Sequence, residues 1–188
     1  MRAMVFAAGE GRRLRPLTDD RPKALIEIAG VPLIDLVLGR LEEAGVRDVI
    51  VNAFHHADLL ESHLRTRRRP DFRIEISREA ELLDTGGGLK KAAAFFSDGK
   101  PFFVHNVDVV STVDLRRLYA AHIENGALAT LSVRSRESSR RLLFGPDGQL
   151  RQREFPGSGR GLVSRSRSAR GPRKVDEFMA LDRAPTGR

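Results

Sequence analysis

Two glycines, three arginines and a lysine crowd together near the start of this chain, in Ala7-Ala8-Gly9-Glu10-Gly11-Arg12-Arg13-Leu14-Arg15-Pro16-Leu17-Thr18 followed by Pro22-Lys23. Glycines one residue apart let the backbone turn tightly and present successive N–H groups to an anion. Arg12, Arg13, Arg15 and Lys23 add cationic donors, so the loop suits a polyphosphate; the bland alternative is a plain turn with solvated arginines. A dinucleotide-binding fingerprint would need a third glycine where Leu14 stands, and the Gly-Lys-Ser/Thr of a P-loop is missing. The short apolar run Met4 to Ala8 reads as a buried strand that delivers the loop.

Two later segments carry comparable chemistry. Asp108 closes Asn106-Val107-Asp108 at the end of the apolar run Pro101 to His105. A carboxylate at a strand end can meet a hard cation bound to phosphates, or simply cap a turn. Asp84-Thr85-Gly86-Gly87-Gly88 reads as a loop whose glycines let a planar ligand lie against the main chain. The histidines offer less: His55 and His56 start an expected helix, His63 lies on it, His122 lies on another, and His105 makes no convincing ligand pair with Asp108. Arg67-Arg68-Arg69 reads as a solvated loop.

Taken whole, the string resembles the signature of the sugar-phosphate nucleotidyltransferases (nucleotide-sugar pyrophosphorylases). There a small-residue strand end leads into G-x-G-x-R-L-x-P-L-T and then P-K-x-L, as in Gly9 to Thr18 and Pro22-Lys23-Ala24-Leu25. The triple glycine looks most like the N-acetylmuramate-1-phosphate uridylyltransferase branch. The resemblance implies a Rossmann-like, three-layer α/β fold with a mostly parallel sheet. It implies transfer of a nucleoside monophosphate from a triphosphate, UTP favoured, to a sugar 1-phosphate, with Mg²⁺ as cofactor and pyrophosphate released. Arg13 and Lys23 fall on the catalytic arginine and lysine positions. Ala8, Gly9, Glu10, Gly11, Arg12 and Arg13, with Thr85, Gly86 and Gly87, would bind the nucleotide, and Asp108 the metal, with Val107 where the family usually has glycine.

The rest of the chain supplies elements to position these residues. Leu25 to Ile28 reads as a short extended segment, and Ile34, Val37, Leu38, Leu41 and Ala44 recur at helical spacing up to Gly45. Strands are expected at Asp48 to Asn52, Phe72 to Ile76 and Ala127 to Val133. Helices are expected at His56 to Arg65, at Leu89 to Phe96, and from a Ser111 or Thr112 cap to Asn125. A hairpin is expected around Pro146-Asp147-Gly148. Strands alternating with helices mean a mostly parallel sheet, in which ligands sit beyond the carboxyl ends of the strands. All three unusual loops follow strands and so converge on one crevice.

Composition narrows the classes. The chain has 188 residues, no cysteine and a net charge of +8. Residues 151–188 hold ten Lys/Arg against four Asp/Glu, which leaves only +2 on the first 150. With one Tyr and no Trp, the body offers little stacking surface for nucleic acid, and polyanion binding rests on the tail alone. No run is long enough to span a membrane, and a cytoplasmic location is expected. The expected division is a nucleotidyltransferase domain over 1–150 and a basic Arg/Ser/Gly/Pro-rich tail over 151–188 without a core. The family's second metal aspartate, usually in a tryptophan-containing motif, has no counterpart, since Asp176 and Asp182 lack the context. Either the chain is truncated or frame-shifted, or a partner chain completes the site. A catalytically impaired nucleotide-binding protein is the corresponding alternative.

Overall fold

A computed structural model of the protein describes residues 1–67, 69–133, 141–146, 148–154 and 178–181. Arg68 and most of the basic tail, with Asp176 and Asp182, lie outside the described residues. The chain divides into two compact units, Met1–Thr112 and Val113–Arg188.

The first unit opens with β1 (Arg2–Phe6), followed by a small antiparallel hairpin of β2 (Glu27–Ile28) and β3 (Val31–Pro32). Then come α1 (Leu33–Glu43), β4 (Asp48–Ala53), α2 (Ala57–Thr66), β5 (Arg73–Arg78), α3 (Asp84–Lys91) and β6 (Phe102–Asn106). Four of these strands form one parallel sheet in the order β5-β4-β1-β6. The chain steps from β1 outward through β4 to β5, then returns to lay β6 on the other side of β1. That reversal opens a crevice between β1 and β6 at their carboxyl ends, the place where open α/β sheets hold ligands.

Both faces of β1 are covered, which is why its sequence is a continuous apolar run rather than an alternation. Ala3, Met4 and Val5 are all fully buried. On one face Met4 and Ile50 pack with Ala92, Phe6, Leu89, Phe95 and Phe96, so α3 and the short 3-10 turn behind it form that layer. Ala3, Val5, Val49, Val51 and Ile74 point the other way and are equally dry. The buried stripes of α1 (Ile34, Val37, Leu38, Leu41) and α2 (Leu60, Leu64) supply the cover there. Asp35 of α1 ties these two helices together, meeting His63 Nε2 at 2.9 Å and Arg67 Nε at 3.3 Å. Arg69 likewise pairs with Glu42, so the described part of the arginine run is braced by acidic partners instead of simply solvated.

The triple glycine is not a loop. Asp84 to Gly88 form the first turns of α3, and the helix expected to start at Leu89 starts five residues earlier. Glycine is a poor helix former, so local propensity points away from this. Packing decides it, because a Cβ on Gly88 would lie 2.9 Å from Asn52 Nδ2 and from Glu79 Oε1. Gly88 is glycine because the helix approaches the sheet closely, and the turn that precedes it follows from that approach.

In the second unit α4 (Leu115–Asn125) is capped by Asp114, whose side chain accepts from the Arg117 N–H, and not by Ser111 or Thr112. Gly126, at φ +58°, ends it as expected. β7 (Ala129–Ser132) pairs antiparallel with β10 (Phe178–Leu181). β8 (Arg141–Phe144) and β9 (Leu150–Glu154) form the expected hairpin. No helix among the described residues is long and apolar enough to cross a membrane.

Truncating Leu38, which is 1% exposed under the sheet, to alanine should cost about 2–5 kcal/mol of stability, read as a lowered urea midpoint with an unchanged slope.

Candidate functional site

The loop after β1 holds its shape through its own contacts. Gly11 sits at φ +65°, and a Cβ there would come within 2.7 Å of the Thr18 methyl. Thr18, 1% exposed, donates its hydroxyl to the Gly11 carbonyl at 3.1 Å. The Leu14 N–H also donates to Gly11 O, at 2.7 Å, closing a 3-10 turn over Arg12–Leu14. Among the described residues, the N–H groups of Gly9 to Arg13 donate to no acceptor. A run of unspent N–H groups is the backbone arrangement that receives anions.

The three arginines of this loop are not equivalent. Arg12 Nε lies 2.6 Å from Glu10, and that hydrogen bond holds the Glu10 carboxyl below its ordinary pKa. Arg15 pairs with Asp19 at 3.5 Å, one helical turn on. Arg13 has no ion-pair partner among the described residues, yet its charge is felt at Asp108. Two of the cations are therefore compensated locally, and the third is left without such a partner among the described residues.

Lys23 and Asp108 form an ion pair across that crevice. Lys23 begins a short 3-10 turn (Lys23–Leu25) anchored by the fully buried Ala24. Asp108 follows β6, and the residue before it, Val107, is 3% exposed and donates its N–H to the Phe6 carbonyl at 3.1 Å. The valine thus extends the register of β6 beside β1 and delivers Asp108 next to the loop of β1. Desolvation at this site pushes the Asp108 carboxyl up. The Lys23 hydrogen bond and charge, its own N–H and the Arg13 guanidinium outweigh that and hold it below its ordinary value.

Lys23 and Asp108, 85 positions apart in the chain, thus meet after β6, with Asp108 close enough to the loop of Ala8 to Arg13 for the Arg13 charge to act on its carboxylate. Ala8 is buried, Gly9 is exposed with open space around it, and Glu10 is turned to Arg12. Thr85 and Gly86 are exposed at the start of α3, while Gly87 lies close against Leu83.

Sequence reasoning missed two residues here. Asn52 at the end of β4 and Glu79 just past β5 are 2% and 4% exposed, and they join the Ala7 N–H to the Leu83 N–H through side-chain hydrogen bonds. Two polar residues 27 positions apart leave no local signature. His56 stands just before α2 rather than in its first turn, at φ +52° and without a side-chain hydrogen bond to the helix.

The donor set suits a hard cation that brings its own ligands. No group of three or more His, Cys, Asp or Glu side chains able to hold a metal forms among the described residues. Magnesium commonly binds through one or two carboxylates, with waters and substrate phosphates completing its shell. Asp108 fits that role once Lys23 releases it.

A family model described as nucleotidyl transferase matches residues 2–145. The chain is 52% identical over 111 residues to N-acetylmuramate alpha-1-phosphate uridylyltransferase of Caulobacter vibrioides, covering 57% of this chain and 46% of that protein. It is 40% identical over 115 residues to the Neisseria meningitidis enzyme of the same name, covering 61% and 49%. With mannose-1-phosphate guanyltransferase of Gibberella zeae it shares 36% over 135 residues, covering 71% and 37%. The chain therefore spans about half the length of the two uridylyltransferases. Among solved structures, HddC from Yersinia pseudotuberculosis superposes with a TM-score of 0.67 at 22% identity, covering 83% of this chain and 69% of that one. A UDP-glucose pyrophosphorylase complexed with UDP-glucose gives 0.65 at 19%, covering 82% and 68%. These likenesses establish the Rossmann-like fold with its mostly parallel sheet.

Two outcomes test the geometry. Gly11→Ala should destabilise the protein by about 1–3 kcal/mol in chemical denaturation, since it forces a Cβ into a left-handed backbone and against Thr18. The Asp108 carboxyl should titrate below the ordinary aspartate range by carbon-detected NMR, and Lys23→Ala should raise its midpoint. Because the native pKa is the lowered one, the stabilisation is present above the unfolded aspartate pKa and is lost as the pH falls through the native value.

Proposed function

The chain belongs to the nucleotidyl transferase family, and from that premise we propose that it binds a nucleoside triphosphate, UTP by preference, and transfers its nucleotidyl group to a sugar 1-phosphate. The observation that carries this reading is the pairing of Lys23 with Asp108 next to a loop of unspent N–H groups, where the Arg13 charge acts on the same carboxylate. The nucleotide-binding part lies within residues 1–150. The preference for uridine is supported by the 52% and 40% identity to two uridylyltransferases, against 36% to a guanyltransferase.

The reaction brings together two anions. An oxygen of the sugar phosphate attacks the α-phosphorus, a new P–O bond forms, the α–β bridging P–O bond breaks, and pyrophosphate leaves with the negative charge. Little proton transfer is needed, so catalysis rests on holding the groups in line and on compensating charge. The N–H groups of Gly9 to Arg13 receive the triphosphate, and Arg13 stabilises the charge that grows on the leaving pyrophosphate. Lys23 neutralises the phosphates as they approach. Thr85, Gly86 and Gly87 meet the base. Asp108 would hold magnesium, which when bound neutralises triphosphate oxygens. Arg12, paired with Glu10, lies in the same loop and would join its N–H groups in meeting the triphosphate.

A second reading, nucleotide binding without turnover, rests on the sequence, in which Asp176 and Asp182 lack the context of the family's second metal aspartate. Pyrophosphate release that requires both substrates separates the two.

Calorimetric titration with UTP, dTTP, GTP, CTP and ATP, with and without Mg²⁺, tests the binding step. Saturable binding with UTP tightest is expected. Arg13→Ala and Asp108→Asn should each weaken it by about tenfold, the second only when Mg²⁺ is present. A folded protein that binds none of these nucleotides overturns the proposal.

A further inference from the structure

Two backbone donors point toward each other beneath the site, with only side chains between them. The Ala7 N–H, first past β1, donates to Asn52 Oδ1 at 2.7 Å. Asn52 Nδ2 donates to Glu79 Oε1 at 2.7 Å, and the Leu83 N–H donates to Glu79 Oε2 at 3.1 Å. Glu79 is fixed in turn by its own N–H, which donates to the Ala53 carbonyl at 2.8 Å and continues the sheet.

The chemistry of this relay is decided by its ends. A main-chain N–H can only donate, so a chain of hydrogen bonds that begins and ends on N–H must contain one group that accepts on both sides. A carboxamide has one acceptor and one donor and passes the direction on. A carboxylate accepts at both oxygens and can terminate it. The Ala7 N–H also settles which end of the Asn52 amide is oxygen. Asn52 is therefore the transmitter and Glu79 the terminator, in a place nearly sealed from water. Gly88 closes the arrangement, since a Cβ there would intrude on both partners at 2.9 Å.

The ends of the relay are the two segments that the proposed function assigns to different parts of one ligand. Ala7 opens the amide loop, and Leu83 immediately precedes Asp84 to Gly87 at the start of α3. We propose that Asn52 and Glu79 are positioning residues that set the separation between these segments, so that the triphosphate and the base of one nucleotide are met together. The proposal rests on the functional reading above for its ligand, and on the hydrogen-bond directions alone for the coupling.

Substitutions that break and restore the directions test it. Glu79→Gln places a donor where two donors already point, and Asn52→Asp places an acceptor against an acceptor. Together, Asn52→Asp and Glu79→Gln give every donor an acceptor again: the new carboxylate takes the Ala7 N–H and the new amide, whose oxygen takes the Leu83 N–H. Tripolyphosphate probes the amide loop alone, whereas UTP probes both segments. Each single change should lower the ratio of UTP to tripolyphosphate affinity by about tenfold, and the double change should restore it to within about twofold.

Amide exchange in the ligand-free protein reads the coupling without a nucleotide. Glu79→Gln should speed exchange at Leu83, which Glu79 touches, and at Ala7, which it does not, and the double change should slow both again. If Glu79→Gln does not fold, Asn52→Asp and the double variant carry the comparison, with exchange expected to speed at both amides and then to recover. Unmoved exchange at the amide remote from the substitution, an unchanged affinity ratio, or a double variant no better than the singles would overturn the proposal. If the wild type binds neither UTP nor tripolyphosphate, the functional reading falls while the exchange experiment still decides the relay.

Discussion

The alignment of three strand ends is the constraint on which the site depends. Phe6 pairs in register with Asn52 on one side and with Asn106 on the other, so β1, β4 and β6 end at the same level. A slip of one residue in either pairing would turn the dry residues of β1 toward the wrong layer, and that burial holds the register. The chemistry inherits this precision. Val107 hydrogen-bonds to the last residue of β1, and Asn52 hydrogen-bonds to the first residue beyond it. Asp108 and the relay are therefore located by sheet geometry, not by loop conformation.

Charge at the site is arranged by sorting. Six cationic residues lie within the first 23 positions, and Arg12, Arg15 and Arg21 answer to carboxylates one to four residues away along the chain. Such exposed pairs contribute little to stability. Their effect is to leave Arg13 without an acidic partner among the described residues, beside the Lys23–Asp108 pair whose carboxylate feels its charge. Lys23 and Asp108 compensate each other across it, so opposite charges that would each face an anionic ligand or a cation are kept together without one.

Much of this was legible in the sequence, for identifiable reasons. The amide loop was readable because its residues are contiguous and each has a local chemical sense. The helices α1 and α2 were readable because burial imposes a 3.6-residue period on Ile34, Val37, Leu38 and Leu41 and on Leu60 and Leu64. The start of α3 was misread because glycine's propensity is local, whereas Gly88 answers to Asn52 and Glu79, which stand at the ends of two different strands. Asn52 and Glu79 were invisible for the same reason: a hydrogen-bond direction imposed by distant main-chain donors has no sequence pattern. The α4 cap was missed by two or three residues because Ser111, Thr112 and Asp114 are all competent caps, and only the backbone path selects among them.

The contact between Thr18 and Gly11 has a thermodynamic consequence. A flexible loop of this length must surrender conformational freedom when it closes on a ligand, at about 1–2 kcal/mol for each residue fixed. Here the hydroxyl-to-carbonyl bond and the buried methyl tie the loop's far end to its middle before anything arrives. The ordering cost is met during folding, out of core packing, so association with an anion leaves a larger share of its interaction energy as affinity.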